Sequence, residues 1–335
     1  MSIIMTGGGT GGHLTIIKAV KEEISDKELI YIGSTKGQDQ KWFKEDKQFK
    51  ETHFLETQGV VNQGILGKIK SITMLFKATI QARKILKDSQ AEVVFCVGGF
   101  SAAPTSFAAI TLGIPLVIHE QNATIGSLNR ILRSRAKIFI SSYNEHSSTR
   151  AYPIKREYFE KSRIREDIKT IIFLGGSQGA KAINELALKL APTLKEKNIK
   201  IIHQAGERNI VEVEQFYKDT NIEAEVFGFT TNLSDYMQQA DFAIARSGAS
   251  TLWELSAMAI PTLYIPYPYA AGDHQFYNAK FLLEQDVAWI MREDEINIQK
   301  VVALLDENLR EKSQKLQSII EKDGALKIAN LLKNI

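Results

Sequence analysis

The stretch Ile3-Ile4-Met5-Thr6-Gly7-Gly8-Gly9-Thr10-Gly11-Gly12-His13 contains a short apolar run, a glycine-rich loop and the start of a periodic pattern. The apolar run predicts a buried strand, and the pattern after Gly12 predicts a helix. The same succession recurs at Thr170–Leu174 and Gly175-Gly176-Ser177-Gln178-Gly179-Ala180-Lys181. Backbone N–H groups of such loops can approach a ligand closely, and a helix start favours an anion. Both stretches therefore predict α/β units with candidate phosphate loops.

Short apolar runs alternate with helical patterns along the chain, which predicts an α/β fold of parallel sheets with helices on both faces. The predicted strands are Ile3–Thr6, Leu29–Ile32, Val93–Val97, Leu116–Ile118, Lys137–Ile140, Thr170–Leu174, Lys200–His203, Ala224–Phe227, Phe242–Ala245 and Thr262–Ile265. The repeated order of the motifs predicts a duplicated domain, and 335 residues suffice for two domains. We predict domains at residues 1–155 and 165–319, with a helix at residues 320–335 that packs back on the first domain.

The composition, with 44% apolar and 24% charged residues, excludes a disordered or collagenous chain. Cys96 is the single cysteine, which excludes an internal disulfide and favours a reducing compartment. The net charge of +3 gives no sign of a nucleic-acid partner. Positive charge is nevertheless in excess in the first half of the chain, because residues 1–156 contain 21 basic and 13 acidic residues. We expect no secretory signal, because the start of the chain lacks a basic region and reaches a glycine at Gly7. We also expect no membrane-spanning helix, because glycines and prolines interrupt the uncharged segment Val93–Ile118.

The first loop matches the dinucleotide pattern G-x-G-x-x-G through Gly7, Gly9 and Gly12. A site for NAD would also need a carboxylate about 20 positions further on, at the end of the second strand. That strand ends in Gly33-Ser34-Thr35-Lys36, which contains no carboxylate. The sequence therefore disfavours NAD, and NADP bound through Lys36 remains an alternative.

Three polar clusters follow predicted strands, at the end of the sheet where open α/β proteins bind ligands. They are His119-Glu120-Gln121-Asn122, Arg246-Ser247-Gly248-Ala249-Ser250-Thr251 and Asp273-His274-Gln275. Glu254, one turn beyond the second cluster, is either a helix-capping residue or an acceptor for a ribose diol. The chain has no Asp-x-Asp pair, no H-x-x-x-H pair and one cysteine, so we predict no metal site.

The segment of residues 58–87 contains six basic residues and no acidic one. On a helical wheel its apolar residues fall within an arc of about 80°. They are Ile65, Ile69, Ile72, Phe76 and Ile80. An apolar stripe with basic surroundings suits an anionic membrane surface. The alternative is a helix that buries this stripe against a sheet.

Together these motifs resemble the bacterial MurG family, the N-acetylglucosaminyltransferase of peptidoglycan synthesis, over nearly the whole chain. The matching segments are Gly8-Gly9-Thr10-Gly11-Gly12-His13, His119-Glu120-Gln121-Asn122, Gly175-Gly176-Ser177-Gln178-Gly179-Ala180, Arg246-Ser247-Gly248-Ala249 with Thr251 and Glu254, and Asp273-His274-Gln275 with Asn278-Ala279. The resemblance implies the GT-B fold, in which two Rossmann-like domains face a deep cleft. It also implies transfer of GlcNAc from UDP-GlcNAc to the C4 hydroxyl of MurNAc in lipid I. That reaction gives lipid II with inversion and requires no metal or other cofactor.

The resemblance also assigns roles to individual positions. UDP-GlcNAc would be bound by Thr10, Gly11, Gly12, Asn122, Lys155, Ser177, Thr230, Ala249, Ser250, Thr251, Glu254 and Gln275. His13 and Glu120 would lie near the reacting centre or the acceptor. An inverting transfer needs a base for the acceptor hydroxyl, and our hypothesis is His13, with Glu120 as the alternative. A further alternative is that His13 contacts the donor sugar or phosphate without proton transfer. The chain departs from the family at Lys155, where the family has an arginine, and the adjacent Arg156 is the alternative replacement. Because lysine lacks the forked donor of arginine, the contact geometry with a phosphate changes there.

In this family the first domain meets an anionic membrane surface and the acceptor, MurNAc-pentapeptide linked to undecaprenyl pyrophosphate. The docking residues would be Ile65, Ile69, Lys70, Ile72, Phe76, Lys77 and Lys84. The resemblance implies a peripheral protein at the cytoplasmic face of the bacterial inner membrane, with cell-wall synthesis proteins as further partners and no nucleic acid. Three alternatives stay open: another sugar-nucleotide enzyme of this fold, an NADP-dependent oxidoreductase, and a nucleotide-binding protein without catalysis.

Overall fold

The described strands of the computed structural model form two separate parallel sheets, each with its own helices. The structure describes residues 2–58, 65–176 and 179–335, and at positions 65, 66, 68 and 69 it describes the backbone only. One compact unit consists of Met1–Ile154 with Asp323–Ile335, and the other of Lys155–Lys322. Ser177 and the side chains of Ile65 and Ile69, which were assigned to donor binding and docking, lie outside the described residues.

The first unit has six described strands, and all of them run parallel. They are β1 (Ser2–Thr6), β2 (Glu28–Ser34), β3 (Glu51–Leu55), β4 (Ala91–Cys96), β5 (Leu116–Glu120) and β6 (Ile138–Ser141), in the spatial order β3-β2-β1-β4-β5-β6. The helices between them are α1 (Gly11–Glu22), α2 (Asp39–Phe43), α3 (Ile65–Asp88), α4 (Ala103–Leu112) and α5 (Ser127–Leu132).

The second unit begins with α6 (Arg156–Glu160) and also has six described parallel strands. They are β7 (Thr170–Leu174), β8 (Lys200–Gln204), β9 (Ala224–Phe227), β10 (Phe242–Ala245), β11 (Thr262–Tyr264) and β12 (Ala288–Ile290), in the spatial order β12-β11-β10-β7-β8-β9. Its other helices are α7 (Lys181–Glu196), α8 (Ile210–Asp219), α9 (Leu233–Gln239), α10 (Ala249–Ala257), α11 (His274–Leu283), α12 (Ile298–Leu304) and α13 (Arg310–Ile319).

Both sheets have the strand order of doubly wound dinucleotide-binding folds. The order reverses between β1 and β4 in the first unit, and between β7 and β10 in the second. Ligands of such sheets bind outside the carboxyl ends of the strands at this switch point. The two glycine loops follow β1 and β7, so the fold places each of them at a switch point.

The central strands are largely apolar because helices cover both faces of each sheet. In the first unit Ile4, Val94 and Ile118 are fully buried in a core that also contains residues of α3 and α4. In the second unit Phe173 and Ile244 are fully buried in a core with residues of α7 and α12. Burial on both sides explains why these strands are continuous hydrophobic runs in the sequence.

All ten predicted strands are present, with ends that differ from the prediction by at most two residues. The prediction missed β3 and β12, which lie at the edges of the two sheets. Three of the five residues of β3 are only partly buried, and β12 has three residues. An edge strand contacts one neighbouring strand, so its sequence carries a weaker hydrophobic signal.

The chain returns to the first unit at its end, through α14 (Gly324–Lys333). This helix packs against α1, and the Lys333 ammonium lies 3.2 Å from the Asp26 carboxylate. At its start, a Cβ atom on Gly324 would lie 2.8 Å from the carbonyl oxygen of Ala151, so a glycine is required for this close approach. Within the described ranges, none of the helices combines the length and hydropathy needed to cross a membrane.

Candidate active site

The first glycine loop is in close backbone contact with the loop that follows β4. The Gly8 N–H donates to the Gly98 carbonyl oxygen at 3.3 Å. Gly7 has a φ of +124°, and a Cβ atom there would lie 2.6 Å from a methyl carbon of Val97. The glycines are therefore needed for contact between two protein loops at the switch point, in addition to any contact with a ligand.

A buried carboxylate fixes the first glycine loop through hydrogen bonds. Asp39 is fully buried and accepts hydrogen bonds from the Gly9 N–H at 2.7 Å, the Ser34 N–H at 3.0 Å and the Tyr31 hydroxyl at 2.9 Å. Burial, together with the nearby Asp39 charge, raises the pKa of Tyr31 above its ordinary range. The Gly9 N–H is therefore already engaged by the protein's own carboxylate and is not a free donor for a dinucleotide phosphate. This arrangement disfavours the NADP alternative.

Asp39 was not among the predicted site residues. It lies on α2, a few positions beyond the end of β2 where a ribose-binding carboxylate was sought. Its side chain points back to the protein's own backbone, which the sequence alone does not reveal. The signal that could have identified it is its position after the second strand, combined with the glycines that need an acceptor.

Two histidines lie in the first unit near the ends of β1 and β5. His13 is partly buried in the first turn of α1, and its Nδ1 lies 2.8 Å from the Thr10 hydroxyl. His119 is fully buried, with its ring 5.5 Å from that of Tyr152 in an edge-to-face arrangement. Burial, and secondarily the charge of His13, lowers the pKa of His119 to about 3. His119 is therefore neutral at physiological pH, and His13 is the more accessible of the two imidazoles.

The Glu120 carboxylate is fixed by hydrogen bonds to the loop that follows β5. One oxygen accepts from the Asn122 N–H at 3.0 Å, and the other accepts from the Gly126 N–H at 2.9 Å and from Asn129 Nδ2 at 2.8 Å. Glu120 is 2% exposed. These contacts organise the loop that carries Asn122, one of the predicted donor-binding residues.

In the second unit, a cavity of about 440 Å³ lies at the switch point between β7 and β10. It is lined by Gly175, Gly179, Ala180, Lys181, Ala182, Glu185, Arg246, Tyr267, Gln275 and Glu293. The cavity is open enough and large enough for part of a nucleotide sugar. Gln275, which was predicted to bind the donor, is one of the residues that line this cavity.

Hydrogen bonds within the protein already engage several groups around this cavity. The Gly176 N–H donates to Gln204 Oε1 at 3.1 Å, and the Gly179 N–H donates to the Gly176 carbonyl at 2.9 Å. Arg246 donates to the carbonyls of Ile265 and Pro266 at 3.0 and 3.1 Å and pairs with Glu293. In the part of this loop and helix that the structure describes, the first N–H groups of α7 have no acceptor within the helix, as at any helix start, and can donate to an anion.

The start of α10 lies at the same switch point and carries four predicted donor-binding residues. Ala249 is its first residue, and Ser250, Thr251 and Glu254 follow within its first two turns. Glu254 is partly buried, and burial together with the neighbouring Glu157 carboxylate raises its pKa to about 8. Across the cavity wall, Gln275 Oε1 accepts from the Tyr267 N–H at 2.9 Å.

Two further predicted donor-binding residues lie in loops of the second unit. Thr230 is partly buried, and its hydroxyl accepts from the Asn232 N–H at 3.0 Å. Lys155 is the N-cap residue of α6; its ammonium lies 3.6 Å from the Glu157 carboxylate, and its charge lowers the pKa of Glu254. Lys155 thus immediately precedes a helix that packs against α10, the helix that carries Glu254. Among the described residues, no three His, Cys, Asp or Glu side chains are grouped so as to hold a metal ion.

The apolar stripe of α3 is on the exposed side of that helix. Ile72 is 57% exposed, Phe76 67% and Ile80 53%. The helix packs on α4 through a different face, which includes the buried residues Ala78 and Ala82. The alternative in which this stripe is buried against a sheet is therefore wrong for these three residues. Lys70, Lys77 and Lys84 are also exposed.

Comparisons with known proteins agree with this architecture. The N-terminal domain model of glycosyltransferase family 28 matches residues 3–140, and the C-terminal domain model matches residues 170–334. A protein of Sulfurovum sp. is 65% identical over 100% of this chain and 99% of its own length, and one of Wolinella succinogenes is 49% identical over 99% of each. Both are named UDP-N-acetylglucosamine–N-acetylmuramyl-(pentapeptide) pyrophosphoryl-undecaprenol N-acetylglucosamine transferase.

A solved structure is also similar over the full length. The crystal structure of Acinetobacter baumannii MurG is 27% identical, covers 100% of this chain and 99% of its own, and superposes with a TM-score of 0.79. The predicted GT-B fold with two Rossmann-like domains is confirmed by this similarity and by the strand order of both sheets. The chain therefore belongs to glycosyltransferase family 28 and, within it, to the MurG family of N-acetylglucosamine transferases.

Proposed function

We propose that this enzyme transfers GlcNAc from UDP-GlcNAc to the C4 hydroxyl of MurNAc in lipid I, and so forms lipid II for peptidoglycan synthesis. The observation that carries this proposal is the 65% identity, over the whole chain, to a relative named for that activity. The fold supports it, since both halves place their polar loops at a switch point. The reaction is a hexosyl transfer that inverts the anomeric carbon of the donor.

The second domain binds most of the donor in this proposal. The pyrophosphate lies against the start of α7, where unpaired N–H groups and the helix dipole favour an anion. These groups also stabilise the UDP that leaves in the transition state. Thr230 binds the uracil, and Glu254 accepts hydrogen bonds from the ribose diol. Ser177, Ala249, Ser250, Thr251 and Gln275 complete the donor site, and Lys155 neutralises part of its charge.

His13 is the base that removes the proton from the acceptor hydroxyl. Its partial exposure and its contact with the Thr10 hydroxyl support this role, because a base must reach a bound substrate in a fixed orientation. Glu120 already accepts at least three hydrogen bonds, so it positions the loop that carries Asn122 and leaves the proton transfer to His13. Thr10, Gly11, Gly12 and Asn122 contact the donor from the first domain.

The exposed face of α3 docks on an anionic membrane. Ile72, Phe76 and Ile80 enter the interface, and Lys70, Lys77 and Lys84 lie near the anionic headgroups. The support is their exposure on a helix that buries another face in the core. The protein then works as a peripheral protein at the cytoplasmic face of the inner membrane, where its lipid-linked acceptor is located, and cell-wall synthesis proteins are its further partners.

The test is transfer of labelled GlcNAc from UDP-GlcNAc to a lipid I analogue, with and without EDTA. We expect a lipid-linked disaccharide at the same rate in both samples. Release of free sugar would instead indicate a hydrolysing sugar-nucleotide enzyme. Binding of UDP-GlcNAc without any product would indicate a nucleotide-binding protein, and either result would refute the proposed activity.

A further inference from the structure

A chain of buried hydrogen bonds links strand β8 to the first turn of α7. His203, the fourth residue of β8, is fully buried. Its Nε2 lies 3.0 Å from Asn184 Oδ1, and its Nδ1 lies 3.0 Å from the Tyr217 hydroxyl. Asn184 is the fourth residue of α7 and Tyr217 belongs to α8, and both are buried. The chain therefore joins one strand and two helices of the second unit.

The contacts of Asn184 fix the direction of these hydrogen bonds. Its Nδ2 donates to the Ala205 carbonyl at 3.1 Å, so its Oδ1 is the atom that accepts from the imidazole. The proton of His203 is therefore on Nε2, and Nδ1 accepts from the Tyr217 hydroxyl. Burial lowers the pKa of His203 to about 4, so the ring is neutral at physiological pH, as this arrangement requires.

The end of the same strand contacts the glycine loop that precedes α7. Gln204 Oε1 accepts from the Gly176 N–H at 3.1 Å. Gly179 has a φ of +77°, and a Cβ atom there would lie 2.6 Å from the Ala205 carbonyl oxygen. Residues 203–205 therefore determine where the glycine loop and the start of α7 lie relative to the sheet.

Packing alone does not require polar side chains between β8 and α7. A hydrophobic pair of similar size would fill the same space without the cost of removing an imidazole and an amide from water. Hydrogen bonds have preferred directions, whereas apolar contacts tolerate small rotations and shifts of one element on another. A buried polar chain of this kind therefore specifies one position of α7.

We propose that His203 is a positioning residue for the donor site, and that through Asn184 it holds the first turn of α7 where its N–H groups point at the donor pyrophosphate. The inference rests on the proposed function, in which the pyrophosphate lies against this helix start. A hydrogen bond weakens when its donor is misaligned, so a small displacement of α7 weakens pyrophosphate binding. The uridine contacts assigned to Thr230 and Glu254 lie outside α7 and are retained.

The test compares UDP with uridine as competitive inhibitors of GlcNAc transfer from UDP-GlcNAc. In His203→Phe a ring is retained and both hydrogen bonds are lost. The inhibition constant of UDP should rise at least about 10-fold, because charge-assisted hydrogen bonds to the pyrophosphate are misaligned. The constant of uridine, which has no phosphate, should change less than about twofold. The value of kcat should also fall, because the same N–H groups stabilise the departing UDP.

Two amides at this position isolate the hydrogen bond to Asn184. The amide nitrogen of glutamine takes the place of Nε2, whereas the shorter asparagine places its amide nitrogen only as far as Nδ1. His203→Gln should therefore keep the inhibition constant of UDP within about threefold of the wild-type value, and His203→Asn should resemble His203→Phe. Both amides are polar, so this comparison applies even where His203→Phe does not fold.

The matched control is Ser313→Ala. Ser313 is a buried residue of α13 in the same unit; its hydroxyl donates to the Ala259 carbonyl at 2.7 Å and accepts from the Arg165 N–H at 2.9 Å. Loss of these hydrogen bonds should lower the melting temperature, as in His203→Phe. Both inhibition constants should nevertheless keep their wild-type values, because α7 is not displaced.

The outcomes separate this inference from the proposed function. If the wild-type enzyme neither transfers GlcNAc nor binds UDP, the proposed function fails and the inference fails with it. If the wild-type enzyme is active, equal weakening of UDP and uridine in His203→Phe would show that His203 supports the second domain as a whole, and would refute the positioning role. An unchanged constant for UDP would refute it as well. A His203→Gln enzyme as weak as His203→Asn would refute the route through Asn184.

Discussion

Reversing the charges of Lys70, Lys77 and Lys84 tests whether α3 is the surface that meets an anionic membrane. Each lysine near an anionic leaflet contributes about 1 kcal/mol of attraction. Replacing all three by glutamate removes this attraction, and the new carboxylates are repelled by the lipid headgroups. Binding should therefore weaken by about 3 kcal/mol or more, which is at least roughly 100-fold. The three side chains are exposed, so the fold should be unaffected.

The apolar residues of the same face predict a second loss of vesicle binding, one that does not depend on salt concentration. Phe76 is 67% exposed, and covering a side chain of this size is worth about 1–2 kcal/mol at this exposure. Phe76→Ala should therefore weaken vesicle binding by roughly 5–30-fold. Alanine is a better helix former than phenylalanine, so the substitution should not destabilise α3.

The assay is co-sedimentation with vesicles that contain either phosphatidylglycerol or only zwitterionic lipid, at low and high salt. The control variant carries Lys189→Glu, Lys200→Glu and Lys300→Glu, three exposed lysines of the second unit with the same total change in charge. We expect the control to keep most of its binding to anionic vesicles. If the α3 variant and the control bind equally well, the charge of the first domain is ordinary surface charge and the docking role of α3 is refuted.

Four further substitutions address the first domain. His13→Ala should lower kcat by about 10²–10⁴-fold with little change in the melting temperature, whereas Glu120→Ala should lower the melting temperature, because at least three donors then lose their acceptor. A His13→Ala enzyme with normal kcat and pH dependence would show that His13 is not the base. Asp39→Asn should cost about 1–3 kcal/mol in urea unfolding, since an amide NH₂ would face donor groups. The pKa of His119 lies near 3 in the folded protein, so the unfolded chain alone binds this proton and stability should fall as the pH drops from about 6.5 toward 3. His119→Phe should flatten that decline in pH-dependent unfolding curves; an unchanged slope would exclude His119 as its source.

The sequence was most informative where one physical cause dominates. Strands buried on both faces, such as β1 and β7, are continuous apolar runs because helices cover both sides, and their sequence positions were predicted within two residues. β3 and β12 are edge strands with partly exposed residues, so burial alone does not determine their sequences. Their short and irregular patterns do not separate them from loops.

The candidate site shows the same division. The glycines and polar residues at the strand ends were found because they cannot belong to an apolar core. The hydrogen bonds of these residues were not predicted. Asp39 accepts from Gly9, and Glu120 accepts from Gly126 and Asn129, only after the chain has folded. For α3 the periodicity identified an apolar stripe, but the sequence pattern is the same whether the stripe packs against protein or is exposed to solvent. Its exposure became known from the packing of Ala78 and Ala82 on the opposite side.

The return of α14 to the first domain has a consequence for synthesis of the protein. Ile328, Ala329 and Leu332 are buried, so α14 supplies part of the apolar contact that α1 needs. During translation the ribosome makes this helix after the whole second domain. The second domain can fold on the ribosome while the first still exposes part of α1, and the first is completed only as residues 323–335 emerge. A truncation before Gly324 should therefore destabilise the domain made first.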